Sequence, residues 1–256
     1  DSSTSRGLGD VYKRQLLQYP RLEELKKYWV HGNKIALITF YRALVTSGNL
    51  KPIDALIKRL LEQGINPLPV YVSSLKDQHS DEFVRELTVK LDISVVLNTT
   101  AFAVSSTKSP AIAGPFRNTD CPVFQLILSS SEKDTWLASP TGLSPRDIAM
   151  NVALPEVDGR LISRAVSFKS SAEYDRKTQC SIVTYEPVPD RISFVVNLIK
   201  NWIKLGNIPS DKKRLAIIVS NYPNKDSRIG NGVGLDTPAS AISILRALKK
   251  RGYLCG

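Results

Sequence analysis

Short apolar stretches alternate with amphipathic ones along the first half of the chain. The apolar stretches have the length of single buried strands and lie at 34–41, 68–73, 93–97 and 123–128. Between the first three of them, apolar residues such as Ile53, Leu56 and Leu60 recur at helical spacing, which places them on one face of a helix. Buried strands separated by amphipathic helices predict an α/β fold with a Rossmann-like parallel sheet and flanking helices.

The middle of the chain carries a different pattern, in which apolar and polar residues alternate one by one. The alternation covers 160–169 and 179–185, and the polar residues 170–178 join the two stretches. A period of two with a polar link predicts two antiparallel strands. We interpret this pair, near 160–186, as a small antiparallel insertion in the parallel sheet.

The strongest amphipathic pattern predicts a helix between Pro189 and Gly206. A new apolar stretch at 215–220 follows this helix, and after it come a loop at 221–238 and a further amphipathic stretch. The return of a strand pattern followed by a helix pattern predicts the start of a second α/β domain.

These patterns divide the chain into three parts. Residues 1–15 have no periodic apolar pattern and resemble a translated cloning adapter, so we expect them to be disordered and to lie outside the fold. Residues 16–210 are predicted to form the first α/β domain, which includes the antiparallel pair. Residues 211–256 are predicted to be the truncated start of the second α/β domain, because the pattern stops directly after a helix.

Composition narrows the choice of partners. The chain has 256 residues, of which 42% are hydrophobic, and its 35 Lys and Arg against 24 Asp and Glu give a formal net charge of +11. The basic residues are dispersed, and no zinc finger or RNP-like aromatic motif accompanies them, so we predict no nucleic-acid partner. The excess of positive charge fits either solvated basic faces or an acidic ligand.

Two further features bear on where the protein works. No apolar stretch approaches the roughly 20 residues that a membrane-spanning helix needs, so we predict no membrane association. The cysteines, Cys121, Cys180 and Cys255, are widely spaced and form no CxxC motif. Such sparse cysteines are typical of a reducing compartment, and we predict a cytoplasmic protein.

Polar residues follow several of the predicted strands, at the edge where open parallel sheets bind ligands. These residues are Tyr41, Arg42, Lys76, Asn98 and Thr99. One interpretation is a rim that binds an anionic ligand. The other is that these loops are polar because they turn in water and cap helices, and the sequence leaves both open.

The loop at 221–238 carries Gly230, Gly232 and Gly234 between a predicted strand and a predicted helix, which is the position of a phosphate-binding loop. However, neither the GxGxxG pattern nor the Walker lysine motif is present. We therefore predict a loop that is flexible or wraps a ligand, and a chain that does not itself hydrolyse ATP.

Other residue types that carry chemistry are sparse. His31 and His79 lack the spacing of metal ligands, and no metal site is predicted. The turn at 154–159 and the residues directly after it carry either a charged cluster that faces a ligand or a local ion pair, and the charged residues concerned are Glu156, Asp158, Arg160 and Arg164. No catalytic group can be assigned from these patterns.

Four longer motifs carry a specific resemblance. They are FYRALVTSGNLKPIDALIKRLLEQGINPLPVYVSSLKD at 40–77, VVLNTTAFA at 95–103, GLSPRDIAMNVALPEVDGRLISRAVSFK at 142–169 and NYPNKDSRIGNGVGLDTPAS at 221–240. In this order, over 34–253, they resemble the family of large, tetrapyrrole-binding subunits that includes CobN of aerobic cobaltochelatase and the large subunit of magnesium chelatase. The chain is similar to an N-terminal section of such a subunit.

The resemblance implies the large subunit of an ATP-dependent cobaltochelatase, a ligase of cobalamin biosynthesis that inserts Co(II) into hydrogenobyrinic acid a,c-diamide. It also implies two smaller partner subunits, one of them an AAA+ ATPase, which hydrolyse ATP with Mg²⁺ in place of this chain. Catalytic residues are expected outside this section, so the section alone is expected to be inactive. Two alternatives stay open: the large subunit of magnesium chelatase, which acts on protoporphyrin IX, and a scaffold section that docks the ATPase subunits.

The implied substrate carries several carboxylates, which suggests roles for the polar residues. Carboxylates pair with cations such as Arg42, Lys76 and Arg228 through charge-assisted hydrogen bonds. The candidate substrate-binding residues lie at the strand ends and in the loop at 221–238, and they are Tyr41, Arg42, Lys76, Asn98, Thr99, Asn221, Asn224, Arg228, Asn231 and Asp236.

Overall fold

The computed structural model describes residues 22–105, 114–116, 119–176, 179–221, 224 and 230–255. The chain divides into two compact units, Asp1–Asn201 and Trp202–Gly256. The adapter predicted at 1–15 lies outside the described residues.

A six-stranded sheet forms the first unit. Its strands are, in chain order, β1 (Ile35–Tyr41), β2 (Asn66–Val72), β3 (Ile93–Asn98), β4 (Val123–Glu132), β5 (Leu161–Asp175) and β6 (Cys180–Pro187). The strands lie in the order β2-β1-β3-β4-β5-β6, and neighbours are parallel from β2 to β5, whereas β6 is antiparallel to β5. The parallel α/β sheet predicted from the alternation is therefore confirmed.

Helices connect and flank these strands. They are α1 (Leu22–Lys26), α2 (Arg42–Thr46), α3 (Lys51–Glu62), α4 (Gln78–Lys90), α5 (Lys133–Ala138), α6 (Pro145–Ile148), a π-helix (Ala149–Ala153), α7 (Leu154–Val157) and α8 (Pro189–Asn207). The apolar stripe of α3 forms part of the core, since Ile53, Leu56 and Leu60 are fully buried. All the interior residues of β1 are buried, and all of them except Thr39 are apolar, as is typical of a strand inside a parallel sheet. In the described part of the chain, no helix has both the length and the apolar composition to span a bilayer.

The antiparallel pair near 160–186 is present, but it is not an insertion. Strand β5 is 15 residues long; its first half pairs in parallel with β4, and its second half pairs with β6. The pair therefore extends the main sheet at one side. The alternating pattern indicated the pairing of β5 with β6 but not the pairing with β4, because β4 is distant in sequence.

Side chains from the segment after α1 cover the opposite side of the sheet, where β2 is the outer strand. Strand β2 contains Pro67 and Pro69, which lack a backbone donor, as is typical of an outer strand. The indole N–H of Trp29 donates to the Pro67 carbonyl at 3.1 Å. The Asn66 carboxamide accepts from the Val30 N–H (3.1 Å) and donates to the Val30 carbonyl (2.9 Å). These bonds satisfy backbone groups along the edge of the sheet and leave fewer of them free to pair with another chain.

The second unit contains the end of α8, a 3₁₀-helix (Ser210–Lys212), a segment without regular structure at 213–220 and helix α9 (Thr237–Lys250). The strand predicted at 215–220 is wrong. A strand needs hydrogen bonds from a neighbouring strand, and none of the described strands pairs with this segment. Its apolar side chains are exposed instead, and Ile218 is 91% exposed.

Candidate functional site

The strand order places a topological switch point between β1 and β3. The chain leaves β1 towards β2 on one side and returns to the other side of β1 with β3. In open parallel sheets, ligands bind in the crevice outside the carboxyl ends of such strands. Here those ends are Tyr41 and Asn98, and residues 99–105, which follow β3, are called the switch-point loop below.

A buried hydrogen-bond network fixes the start of the switch-point loop. The side-chain oxygen of Asn98 accepts from the hydroxyls of Thr39 (2.7 Å) and Thr100 (2.9 Å). Its NH₂ group donates to Gln125 Oε1 (2.7 Å) and to the Thr100 carbonyl (2.9 Å). Thr99 donates through its hydroxyl to the Thr39 carbonyl at 3.0 Å. Each of these residues is at most 4% exposed, so the network is closed to solvent.

A buried ion pair joins the two ends of the same loop. The Arg160 guanidinium donates to Asp158 Oδ2 at 2.7 Å and to the Thr100 carbonyl at 3.4 Å. The Asp158 carboxylate accepts the backbone N–H groups of Val104 (2.8 Å) and Ser105 (2.9 Å). The side chains of Arg160 and Asp158 are only 2% and 9% exposed. Of the two interpretations that the sequence allowed for this pair, the local ion pair is the one observed.

Burial and hydrogen bonding act in opposite directions on the pKa values here. Burial by itself raises the pKa of the Asp158 carboxyl, but the two backbone N–H groups and the Arg160 guanidinium outweigh it, so the pKa of Asp158 is lowered. Asp158 is therefore ionised at neutral pH. Burial raises the pKa of the Tyr41 phenol, which stays neutral and donates to the Ala101 carbonyl at 3.1 Å.

The π-helix holds the middle of the switch-point loop. In it, the N–H of Leu154 donates to the carbonyl of Ala149, five residues earlier, rather than to that of Met150. The next residue, Pro155, has no N–H to offer. The Met150 carbonyl accepts the backbone N–H of Phe102 instead, at 2.9 Å.

A second buried carboxylate ties the end of β4 to helix α6. Asp147 is 2% exposed. It accepts the Ser129 hydroxyl at 2.8 Å, the Ser130 N–H at 3.1 Å and the Asn151 side-chain NH₂ at 3.3 Å. These bonds position α6 and the π-helix, and with them the carbonyl that binds the switch-point loop.

The structure separates the predicted site residues of the first unit into two groups. Asn98 and Thr99 do not present their side chains to a ligand at a rim, because both are buried and bonded to neighbouring strands. Arg42 and Lys76 are exposed and Tyr41 is half-buried. Arg42 also lines an apolar cavity of about 560 Å³ beside β2.

In the second unit, the Asn221 side chain bonds to the backbone of Gly230. Its side-chain oxygen accepts the backbone N–H of Gly230 at 2.7 Å. Gly230 has a φ of +65°, and a Cβ there would lie 2.8 Å from Val219 Cγ1, so a larger residue would displace its neighbour. This glycine serves a close approach within the protein.

The remaining predicted residues of this unit differ in their surroundings. Asp236 caps α9, since its carboxylate accepts the Ala239 N–H at 2.9 Å. Asn224 is exposed and Asn231 is half-buried. Arg228 lies outside the described residues.

Sequence reasoning missed two residues of the switch-point region. Gln125 is the one polar residue inside the apolar stretch 123–128, which is a readable sign of a buried network. Phe102 has a positive φ of 68°, and nothing in the sequence marks this, because phenylalanine does not favour that conformation.

The exposed groups at the carboxyl edge of the sheet suit binding more than bond-making. Arg42 and Lys76 are cations that can pair with acids, and Phe102 offers an apolar surface. In the residues that the structure describes, no three His, Cys, Asp or Glu side chains are grouped so that they could hold a metal ion.

A family model described as CobN/Magnesium Chelatase matches residues 10–256, nearly the whole chain. The chain belongs to the CobN/magnesium chelatase family. Similar family members include the aerobic cobaltochelatase subunit CobN of Sinorhizobium sp, 47% identical over 219 residues, and that of Pseudomonas aeruginosa, 41% identical over 245 residues. These matches cover 86% and 94% of this chain but only 17% and 20% of the relatives.

More distant members and a solved structure complete the comparison. A magnesium-chelatase subunit of Chlorobaculum parvum is 28% identical over 237 residues, which are 88% of this chain and 17% of that protein. The catalytic subunit of cobaltochelatase from Mycobacterium tuberculosis is similar in structure, with a TM-score of 0.72 and 32% identity over 88% of this chain and 19% of that one. The α/β fold is thus shared with a solved family member.

Proposed function

We propose that this chain is a section of the large subunit of a cobaltochelatase, which inserts Co(II) into hydrogenobyrinic acid a,c-diamide in cobalamin biosynthesis. The observation that carries the proposal is a difference in identity: 47% and 41% with two CobN subunits, against 28% with the magnesium-chelatase subunit of Chlorobaculum. In this proposal Co(II) is a substrate, and ATP is hydrolysed by two smaller partner subunits, one of them an AAA+ ATPase.

The part of this section in the reaction is to hold the acidic macrocycle. Arg42 and Lys76 are exposed at the carboxyl edge of the sheet, where each can donate charge-assisted hydrogen bonds to a carboxylate. Such a bond contributes about 1.5–3 kcal/mol. The formal net charge of +11 adds a general attraction for an acidic ligand.

A chimeric subunit tests this function. Residues 34–253 of this chain replace the matching section of the Sinorhizobium CobN subunit, and the chimera is assayed with that enzyme's own partner subunits for ATP-dependent cobalt insertion. We expect a rate within about tenfold of the parent, because the section supplies the same fold and the same binding groups. The chimera with Arg42→Ala should bind the macrocycle roughly tenfold more weakly in a fluorescence-quenching titration, because one charge-assisted bond is lost.

A chimera with the matching section of the Chlorobaculum magnesium-chelatase protein is the control, and we expect it to bind hydrogenobyrinic acid a,c-diamide more weakly. Magnesium insertion into protoporphyrin IX by the first chimera would contradict the cobalt assignment. Binding of the ATPase partner without binding of any macrocycle would favour the scaffold role instead.

A further inference from the structure

Phe102 has a backbone conformation that phenylalanine rarely adopts. Its φ of +68° lies in the left-handed region, which is unfavourable for residues with a Cβ. Among the described residues, the other non-glycine residue with a positive φ is Gln179, which lies in the turn between β5 and β6. Left-handed residues are common in such hairpin turns, but Phe102 lies in a loop that follows a parallel strand.

Hydrogen bonds to the main chain before and after Phe102 hold it in this conformation. Before Phe102, the carbonyl of Ala101 accepts a hydrogen bond from the Tyr41 hydroxyl at 3.1 Å. After it, the N–H of Val104 donates to the Asp158 carboxylate at 2.8 Å. The N–H of Phe102 itself donates to the Met150 carbonyl at 2.9 Å. These bonds fix the main chain, and none of them explains why the side chain here is an aromatic ring.

The exposure of the ring is the second unusual feature. Phe102 is 43% exposed as a residue, although a phenyl group gains free energy by burial. A strained backbone conformation persists only where the surrounding structure holds it in place, and such residues are concentrated at ligand-binding sites. Phe102 combines such strain with an apolar surface at the carboxyl edge of the sheet, beside the switch point.

We propose that the Phe102 ring is the apolar contact for the ring face of the macrocycle at the switch point, while carboxylates of the same ligand pair with the cations of this edge. The inference rests on the proposed function. A phenyl ring has no hydrogen-bonding groups and packs against other ring systems through dispersion and edge-to-face geometry. Since the switch-point loop is already fixed, binding does not have to order it, which favours affinity.

Two substitutions in the chimeric subunit test this role. Phe102→Leu and Phe102→Gly both remove the ring, and each should weaken binding of hydrogenobyrinic acid a,c-diamide about tenfold in a fluorescence-quenching titration. In steady-state assays, KM should rise with kcat nearly unchanged, because the contact is equal in the ground state and the transition state. The Phe102→Gly variant should melt at or above the temperature of Phe102→Leu, because glycine adopts a positive φ without strain.

Phe194→Leu on α8 is the matched control, because Phe194 is 41% exposed and its ring lies against the Arg164 guanidinium. This variant should bind the macrocycle like the unsubstituted chimera. Unchanged affinity of Phe102→Leu in a chimera that binds the macrocycle and inserts cobalt would overturn this inference alone. Weaker binding accompanied by melting temperatures of both variants well below that of the unsubstituted chimera would also overturn it, since the ring would then act through the fold. A chimera that binds no macrocycle before any substitution would overturn the proposed function.

Discussion

The Arg160–Asp158 ion pair illustrates how a single buried charge organises the switch-point loop. Moving a guanidinium out of water is costly, and burial lowers the pKa of Arg160, although the Asp158 carboxylate opposes this. The pair connects the Thr100 carbonyl at one end of the loop with the Val104 N–H at the other. Its value to the protein is therefore a fixed loop geometry more than net stability.

Removing the charge of Asp158 should destabilise the chain in a pH-dependent way. At pH 7, Asp158→Asn is expected to lower the free energy of unfolding by about 3 kcal/mol, because it leaves Arg160 without a counterion and turns an amide towards backbone N–H groups. The pKa of Asp158 is lowered by folding, so its stabilising contribution is present above its unfolded pKa and is lost as the pH falls through the folded one. The difference between wild type and variant should therefore shrink below about pH 4. Urea unfolding from pH 3 to pH 8 measures it.

Asp92→Asn is the matched control for this experiment. Asp92 pairs with Lys34 at 3.3 Å, but its side chain is 86% exposed. Exposed pairs contribute under about 1 kcal/mol, so this variant should stay close to wild type at every pH. Equal effects of the two substitutions would show that the buried pair has no special role.

At this scale the sequence predicted where polar residues occur but not where their side chains point. Asn98 is correctly placed at the carboxyl end of a strand, yet its hydrogen-bond partners include Thr39 on β1 and Gln125 on β4. Both partners are distant along the chain, so no local pattern shows that Asn98 is used within the protein. Arg42 begins a helix and Lys76 precedes one. Both residues are exposed, as residues in loops and at the starts of helices usually are.

At the scale of elements, a proline directly follows the bond that defines the π-helix between α6 and α7. The Met150 carbonyl is available to Phe102 because Leu154 bonds to Ala149 and residue 155 has no N–H. We predict that Pro155→Ala gives this carbonyl a helical donor. An N–H at position 155 can pair with Met150 directly, or it can restore the α-helical register, in which Leu154 pairs with Met150. The Phe102 amide should then exchange its hydrogen roughly tenfold faster, as followed by NMR.

Pro145→Ala is the control for this substitution, because Pro145 occupies the first turn of α6, where no backbone donor is required. Exchange at Phe102 should be unaffected by it. If Pro155→Ala also leaves the exchange rate of Phe102 unchanged, the proline does not control the bond between the π-helix and the switch-point loop.

Helices and strands with a strong hydrophobic pattern were predictable from the sequence. Strand pairings that depend on segments distant along the chain were not. Strands β1 to β4 follow from their apolar stretches, since most of their residues are buried, as a parallel sheet requires. The stretch 215–220 has the same composition but forms no strand, because a strand exists only when another supplies its hydrogen bonds. Composition alone cannot distinguish the two cases.

At the scale of the whole molecule, the two units differ in how far their apolar residues are buried. The first unit buries them between sheet and helices, and the large side chains Phe40, Leu97 and Ile199 are fully enclosed. In the second unit α9 has no buried residue, and Ile218 and Val233 are 91% and 86% exposed. Exposed apolar residues in such number are typical of a surface that associates with other molecules.

Self-association of the chain at high concentration is the expected consequence of these exposed residues. Ile218→Lys should weaken it about tenfold, because burial of an isoleucine side chain contributes about 1.5–3 kcal/mol and a lysine adds repulsion to a chain of net charge +11. Val89→Lys on α4 is the control: Val89 is 74% exposed and the substitution adds the same charge, so any effect of charge alone appears in both variants. Sedimentation velocity over a range of concentrations measures the association. A common response of the two variants would assign it to net charge, whereas a loss confined to Ile218→Lys would place the contact surface on the second unit.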